Sequence, residues 1–213
     1  MPNDILNLSD ATPLSQGAQQ IVYQHPDDPD QLLKVRRKTK KSYRLRRPAS
    51  RRFRALRLWH LEISEYFAAL ATLGRHFDRM PRIGGFCDTS LGPAIIVQKI
   101  KGNDGQIAPT LAQLLKSPGI DQHLFDILYA DAQAMFDEIH AAGVEWKDVG
   151  LQNVVVEGGA TPHLVIIDGM GKSPLIPLAL MNERIYDYNH AKDRQRFLDQ
   201  MMACAPVEAH QAA

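Results

Sequence analysis

The sequence has only two cysteines, Cys87 and Cys204, in 213 residues. That is too few, and they are too far apart, for a disulfide scaffold or a cysteine metal site, so reduced thiols without a chemical role are expected. No apolar run approaches the ~20 residues needed to cross a bilayer. The first ten residues, MPNDILNLSD, carry acidic side chains where a secretory signal would have a basic end and a long apolar stretch, so a cytoplasmic protein is expected. There is no internal repeat and no long low-complexity tract. A hydrophobic fraction of 45% excludes a wholly disordered chain. The length suffices to bury a real core in one domain or two small lobes.

Net charge is also scarce, at +1, but the balance hides an asymmetry. Between Gln31 and Leu61 there are 13 Lys/Arg and no acidic residue, which leaves 12 basic residues against all 24 acidic ones in the remainder. A basic patch on an acidic body points toward an anionic partner.

Hydrophobic periodicity and turn chemistry divide the chain. Strands are expected at 5–8, 20–24 and 32–36, the last two joined by the turn cluster HPDDPD at 25–30. The segment 36–54, rich in Lys and Arg, is not expected to form a core element. Leu56, Trp59, Ile63, Tyr66, Phe67, Leu70 and Leu73 recur at helical spacing and Gly74 supplies a stop. Ile83–Phe86 and Ala94–Ile100 read as two more strands. Residues 1–100 therefore predict an antiparallel sheet with one long helix inserted after its third strand. Lys101–Gly105 reads as a linker. Beyond it, in 101–213, helices are expected over 111–116, from an Asp121 cap to Ala142 with a stripe through Leu124, Leu128, Ala132, Met135, Phe136 and Ile139, and over about 182–201. Short β runs are expected at 153–157 and 163–167. The class is α+β.

Five polar residues fall where this layout could gather them. Lys34 sits in the apolar strand LLKV, either snorkelling to water or buried with a partner. Glu62 lies among Trp59, Ile63 and Tyr66 and could be that partner, or a solvated helix residue. Asp148 is followed five positions later by Asn153, which leads straight into a β run. A carboxylate there can accept a proton from an attacking hydroxyl, and the amide oxygen can ligate Mg²⁺. Turn formation alone would also explain both residues. Asp168 ends a strand before Gly169, a position suited to a hard oxygen ligand for Mg²⁺. The interval between Asn153 and Asp168 fits a small hairpin with both ligands on one side.

Lys34, Glu62, Asp148, Asn153 and Asp168 occur in the order of the protein-kinase signature, and the chain resembles that fold. Leu14 to Tyr23 is similar to the phosphate-covering loop, with Gly17 at its middle glycine and Ser15 and Gln20 at the outer two. Ile139-His140 resembles the end of the helix that precedes the catalytic loop. A closer resemblance, over roughly residues 5–200, is to the YrbL family, bacterial kinase-like proteins linked to the PhoP regulatory network. It rests on Pro13-Leu14-Ser15-Gln16-Gly17, on Glu62 to Leu70, on Leu151-Gln152-Asn153-Val154, and on Ile167 to Leu178 with its Ser173-Pro174-Leu175-Ile176-Pro177-Leu178 tail.

The resemblance implies a protein-kinase-like bilobal fold with a reduced, mainly helical second lobe. The order of the protein-kinase signature, not the YrbL resemblance, implies ATP and Mg²⁺ as cofactors, with γ-phosphate transfer to an acceptor hydroxyl. Adenine would lie on Gln98–Ile100 and Gly17 amides would cover the phosphates. Lys34, oriented by Glu62, would neutralise phosphate oxygens, Asn153 and Asp168 would hold Mg²⁺, and Asp148 would orient the hydroxyl. Three features depart from the protein-kinase pattern: Gly150 in place of a lysine, Trp146-Lys147 in place of His-Arg, and no Ala-Pro-Glu in the 45 residues after Asp168. The expected acceptor is therefore a small molecule, a glycan or lipid headgroup, or an atypical protein site. The segment 36–54 is either a solvated loop, a patch for an anionic substrate or membrane surface, or an arm that binds nucleic-acid phosphates. The competing expectations are a pseudokinase that regulates by contact and a protein whose basic surface is the working part.

Overall fold

The structure is a computed structural model that describes residues 5–17, 20–37, 57–171 and 183–206, with backbone alone at 57 and 58. The expectations for 38–54 and for the tail at 173–178 lie outside the described residues. The chain divides into two compact units: Met1–Arg57 with Pro81–Ile100, and Leu58–Met80 with Lys101–Ala213.

The first unit is built on an antiparallel sheet of β1 (Ser15–Gln16), β2 (Gln20–Gln24), β3 (Gln31–Arg36), β4 (Ile83–Thr89) and β5 (Gly92–Gln98), in the spatial order β1-β2-β3-β5-β4. The turn between β2 and β3 is held by its own polar residues. The Gln24 side-chain amide donates to the Asp28 and Gln31 carbonyls, and the Asp28 carboxylate accepts from the Asp30 N–H. The turn between β4 and β5 is shorter than expected because the Thr89 hydroxyl bonds the Gly92 carbonyl at 2.6 Å, closing it over Ser90 and Leu91. The strand expected at 5–8 reduces to a single parallel bridge between Leu6 and Thr89. The Asn7 side chain accepts from the Ser9 N–H and turns the chain before a ladder can extend. Leu8, Tyr23, Leu33, Val35 and Ala94 form the buried core of this unit. Cys87 and Cys204 are free. Burial, with Asp88 beside it, pushes the Cys87 thiol up and keeps it protonated.

In the second unit, α1 (Arg57–Leu73) ends at Gly74, whose φ of 66° favours glycine. Its inward stripe runs through Trp59, Glu62 and Ala69, with Tyr66 and Leu73 packed against the core. Phe67 was expected on that stripe but is 62% exposed, because the buried face follows the 3–4 spacing from Trp59 and Phe67 falls one residue round from it. The expected linker at Lys101–Gly105 is a bonded turn. Gly102 N–H donates to Gln106 O, Asp104 accepts from Gln106 N–H, and Asn103 accepts from Gly159 N–H.

The short α2 (Leu111–Leu114) starts in a capping box of Thr110 and Gln113. The long α3 (Gln122–Ala142) starts where Asp121 caps the Leu124 N–H and stops at left-handed Gly143. Phe125, rather than Leu124, leads its buried stripe. β6 (Val154–Glu157) and β7 (His163–Ile166) form an antiparallel hairpin. The polar helix α4 (Glu183–Met202) buries Phe197, Leu198 and Met201. Among the described residues no helix is long and apolar enough to cross a membrane.

Sequence reading missed the anchor of this unit. Arg79, 2% exposed, follows Phe77 and precedes Met80, both in the core. Its guanidinium bonds Asp131 at 2.7 Å and Glu138 at 2.6 Å on α3, and the Leu164 carbonyl at 3.3 Å on β7. Burial opposes the charge, but hydrogen bonds to Glu138 and Asp131 outweigh it and raise the pKa. Asp131 also accepts from the Leu164 N–H, and the Arg79 carbonyl accepts from Ile166 N–H. Strand β7 is thereby pinned to α3.

Candidate active site

The polar residues of the sequence reading are distributed over both units. Gly17, Lys34, Gln98 and Ile100 belong to the first, and Glu62, Asp148, Asn153 and Asp168 to the second.

Three of them are brought together in the second unit. The segment 145–148 runs antiparallel to 168–171, through a bridge between Trp146 and Met170. The Gly169 carbonyl accepts from both Lys147 N–H (2.9 Å) and Asp148 N–H (3.1 Å), and Gly171 N–H donates to the Glu145 carbonyl at 2.7 Å. A 3₁₀ turn at Leu151–Asn153 then delivers the chain into β6. The side-chain NH₂ of Asn153 donates to the Asp148 carbonyl at 2.7 Å and to its carboxylate at 3.0 Å. With the amide nitrogen so engaged, Asn153 Oδ1 is the atom left to act as an acceptor or ligand. Ile167 N–H donates to the Asn153 carbonyl at 2.9 Å, tying the end of β7 to the start of β6. Asp168 follows directly, exposed like Asp148.

The close fit of these loops requires glycine at 169 and 171. Gly169 has a φ of 85°, and a Cβ there would lie 2.8 Å from the Asp148 Cβ. Gly171 has a φ of 83°, and a Cβ would lie 2.5 Å from the Leu61 Cβ. Gly150 differs, since its φ of −172° is extended backbone that any residue adopts. The lysine missing there is a chemical difference, not a backbone demand.

Behind the loop lies a small pocket of about 20 Å³, lined by Phe136, Glu145, Trp146, Tyr186 and His190, among others. Burial, then the charges of Glu145, Glu65 and Asp187, push the Tyr186 phenol up to about 12. Among the described residues no group of three His, Cys, Asp or Glu gathers as a metal site. The side-chain oxygens of Asn153 and Asp168 are those on these loops that could hold Mg²⁺, which takes one or two protein oxygens and completes its shell with water and phosphate.

In the first unit, Lys34 is 7% exposed on β3, opposite Val22 and Ile95. Glu62, in the second unit, is equally buried. The Gly17 N–H donates to Gln20 O at 2.9 Å, closing the β1–β2 turn. At the end of β5, Gln98 N–H donates to Arg82 O and Lys99 N–H to Asp30 O, so both amides are engaged within the sheet. Ile100 is buried.

A family model described as PhoP regulatory network protein YrbL matches residues 6–202, nearly the whole chain. No curated protein matches it. Among solved structures, the crystal structure of Rad53 1-466 in complex with AMP-PNP is similar at 13% identity and a TM-score of 0.46, over 76% of this chain and 38% of that one. The chain thus spans well under half the length of that neighbour.

Proposed function

The chain belongs to the family of the PhoP regulatory network protein YrbL, and from that premise we propose that it is a kinase-like phosphotransferase, dependent on ATP and Mg²⁺. The observation that carries this reading is the pairing of 145–148 with 168–171, which sets Asp148, Asn153 and Asp168 at one end of the β6–β7 hairpin. Turn formation alone would not need a carboxylate, an amide and a second carboxylate at the meeting of two loops.

In this proposal Asp148 accepts the proton of the acceptor hydroxyl as its oxygen bonds the γ-phosphorus and the bond to the ADP oxygen breaks. Asn153 Oδ1 and the Asp168 carboxylate hold Mg²⁺, which when bound neutralises phosphate charge. Lys34, oriented by Glu62, neutralises phosphate oxygens, and backbone amides around Gly17 cover them. Adenine lies along Gln98–Ile100, with recognition falling to the Ile100 end because the amides of 98 and 99 are engaged. Positioning and charge stabilisation supply most of the acceleration. The acceptor is an anionic small molecule, a glycan or lipid headgroup, or a protein site, matched to the basic stretch between Gln31 and Leu61. The working compartment is the cytoplasm.

The test is Mg²⁺-dependent turnover of γ-labelled ATP beside calorimetric nucleotide binding. Asp148→Ala is expected to bind nucleotide normally and lose turnover, whereas Asp168→Ala loses Mg²⁺-dependent binding as well. Parental turnover in Asp148→Ala would remove its assigned role. A second reading, a nucleotide-binding regulator without transfer, is favoured by the family description, which names a regulatory network and no reaction. Binding without turnover in the parental protein would select it.

A further inference from the structure

The residue that joins the two loops from behind is Trp146. It is 3% exposed, and its indole N–H donates to the Asp168 carbonyl at 3.2 Å. The ring is wedged between Phe136 of α3, at a centroid distance of 5.8 Å, and Phe197 of α4, at 5.7 Å. Those two rings meet each other edge-on at 5.4 Å. Phe197 and Phe136 are almost fully buried, so the indole packs against two rings that are themselves held in the core. Gly169 wraps so closely that a Cβ there would lie 3.2 Å from the indole nitrogen.

An indole nitrogen can only donate, and in this packing its one donor is aimed at the carbonyl of the residue whose carboxylate faces solvent. From this geometry we infer that Trp146 is a positioning residue: it fixes the Asp168–Gly169 peptide, whose Gly169 N–H donates to the Asp168 carboxylate at 2.7 Å, and so the direction of that carboxylate, and helix α4 braces it through Phe197. The metal-holding consequence rests on the phosphotransferase reading. The positioning itself does not, because it concerns the protein without ligand.

The test uses Trp146→Phe, which keeps an aromatic ring and removes the donor, Trp146→His, which restores an N–H, and Phe197→Leu, which keeps Trp146 and loosens its brace. The first readout is hydrogen exchange of the Lys147 and Asp148 amides, both bonded to Gly169 O, in ligand-free protein. Exchange is expected to quicken roughly three- to tenfold in Trp146→Phe, the scale of one lost neutral hydrogen bond. Amides in the middle of α3 should stay unchanged, and Trp146→His should recover part of the protection. The second readout is the Mg²⁺ concentration at half-saturation with saturating ATP, expected to rise by a similar factor in Trp146→Phe and Phe197→Leu while Mg²⁺-free nucleotide affinity holds. Unchanged loop exchange in Trp146→Phe, or in Phe197→Leu if the first variant does not fold, would overturn the inference. Altered exchange in a protein that never binds Mg²⁺ with ATP would uphold the positioning and remove the phosphotransferase reading instead.

Discussion

Two hairpin ends carry the residues assigned to phosphate chemistry, and they are built in opposite ways. At the end of β6–β7, Asp148, Asn153 and Asp168 stand in a mesh in which backbone, amide and indole groups each have a partner and two glycines are closed to any side chain. At the β1–β2 turn, among the described residues, the Gly17 N–H donates to Gln20 O, its carbonyl accepts from the Arg37 side chain at 3.4 Å, and the nearest atom to an added Cβ is Gln20 O at 3.4 Å. Groups that must hold a metal and a proton at fixed directions gain from over-determined support. On the proposed reading, a loop that covers phosphates with its amides needs less support than one that holds a metal, which is consistent with Ser15 and Gln20 where the protein-kinase pattern has glycines.

The strongest blow to the rigid end should come from Arg79→Met. It leaves Asp131 without its cation beside Leu164, and cutting one partner from a buried pair costs about 3–5 kcal/mol. Glu138 is 45% exposed and recovers water, so a loss of roughly 3 kcal/mol in urea unfolding is expected. A change below about 1 kcal/mol would mean that Arg79 does not anchor β7.

Glycine substitutions sharpen the contrast between the two ends. Gly169→Ala forces a Cβ into the Asp148 side chain at positive φ and should cost roughly 2 kcal/mol, with loss of Mg²⁺ affinity. Gly17→Ala meets no such obstacle and should move stability by less than about 1 kcal/mol. Equal costs at the two positions would erase the distinction.

The smallest effect is expected from pH. Burial, followed by the charge of His140, lowers the pKa of His190, whose buried Nε2 has no hydrogen-bond partner among the described residues. A lowered folded pKa means the unfolded chain binds the proton first. Stability from this group is therefore present above the unfolded value near 6.5 and lost as pH falls below it. Replacing His190 with Phe should flatten the slope of unfolding free energy between pH 7 and 5. The slope removed cannot exceed about 1.4 kcal/mol per pH unit for one proton.

What the sequence made legible was local. The HPDDPD turn, the Gly74 stop and the Asp121 cap act within a few residues of themselves, so their chemistry can be read in order. The pairing of Asp148 with Asn153 is likewise a five-residue relation. Arg79 was not legible, because its partners lie 52 and 59 residues away and an arginine next to Asp78 looks like a surface residue until they are found. The indole bond of Trp146 spans 22 residues and showed only as a departure from the kinase pattern. Phe67 and the short bridge at Leu6 failed for another reason, since apolar spacing fits two neighbouring helix faces and a strand needs a partner as well as a pattern.

The central claim, a Mg²⁺-dependent nucleotide site completed by Asp168, is tested most directly by thermal unfolding with and without ATP and Mg²⁺, parental protein beside Asp168→Asn. Ligand at a hundred times its dissociation constant adds about 2.7 kcal/mol, which for a chain of this size raises the midpoint by roughly 5–10 °C. The account predicts that rise, its dependence on Mg²⁺ and its loss in Asp168→Asn. An unmoved midpoint at millimolar nucleotide, or a rise that Asp168→Asn retains, would contradict it.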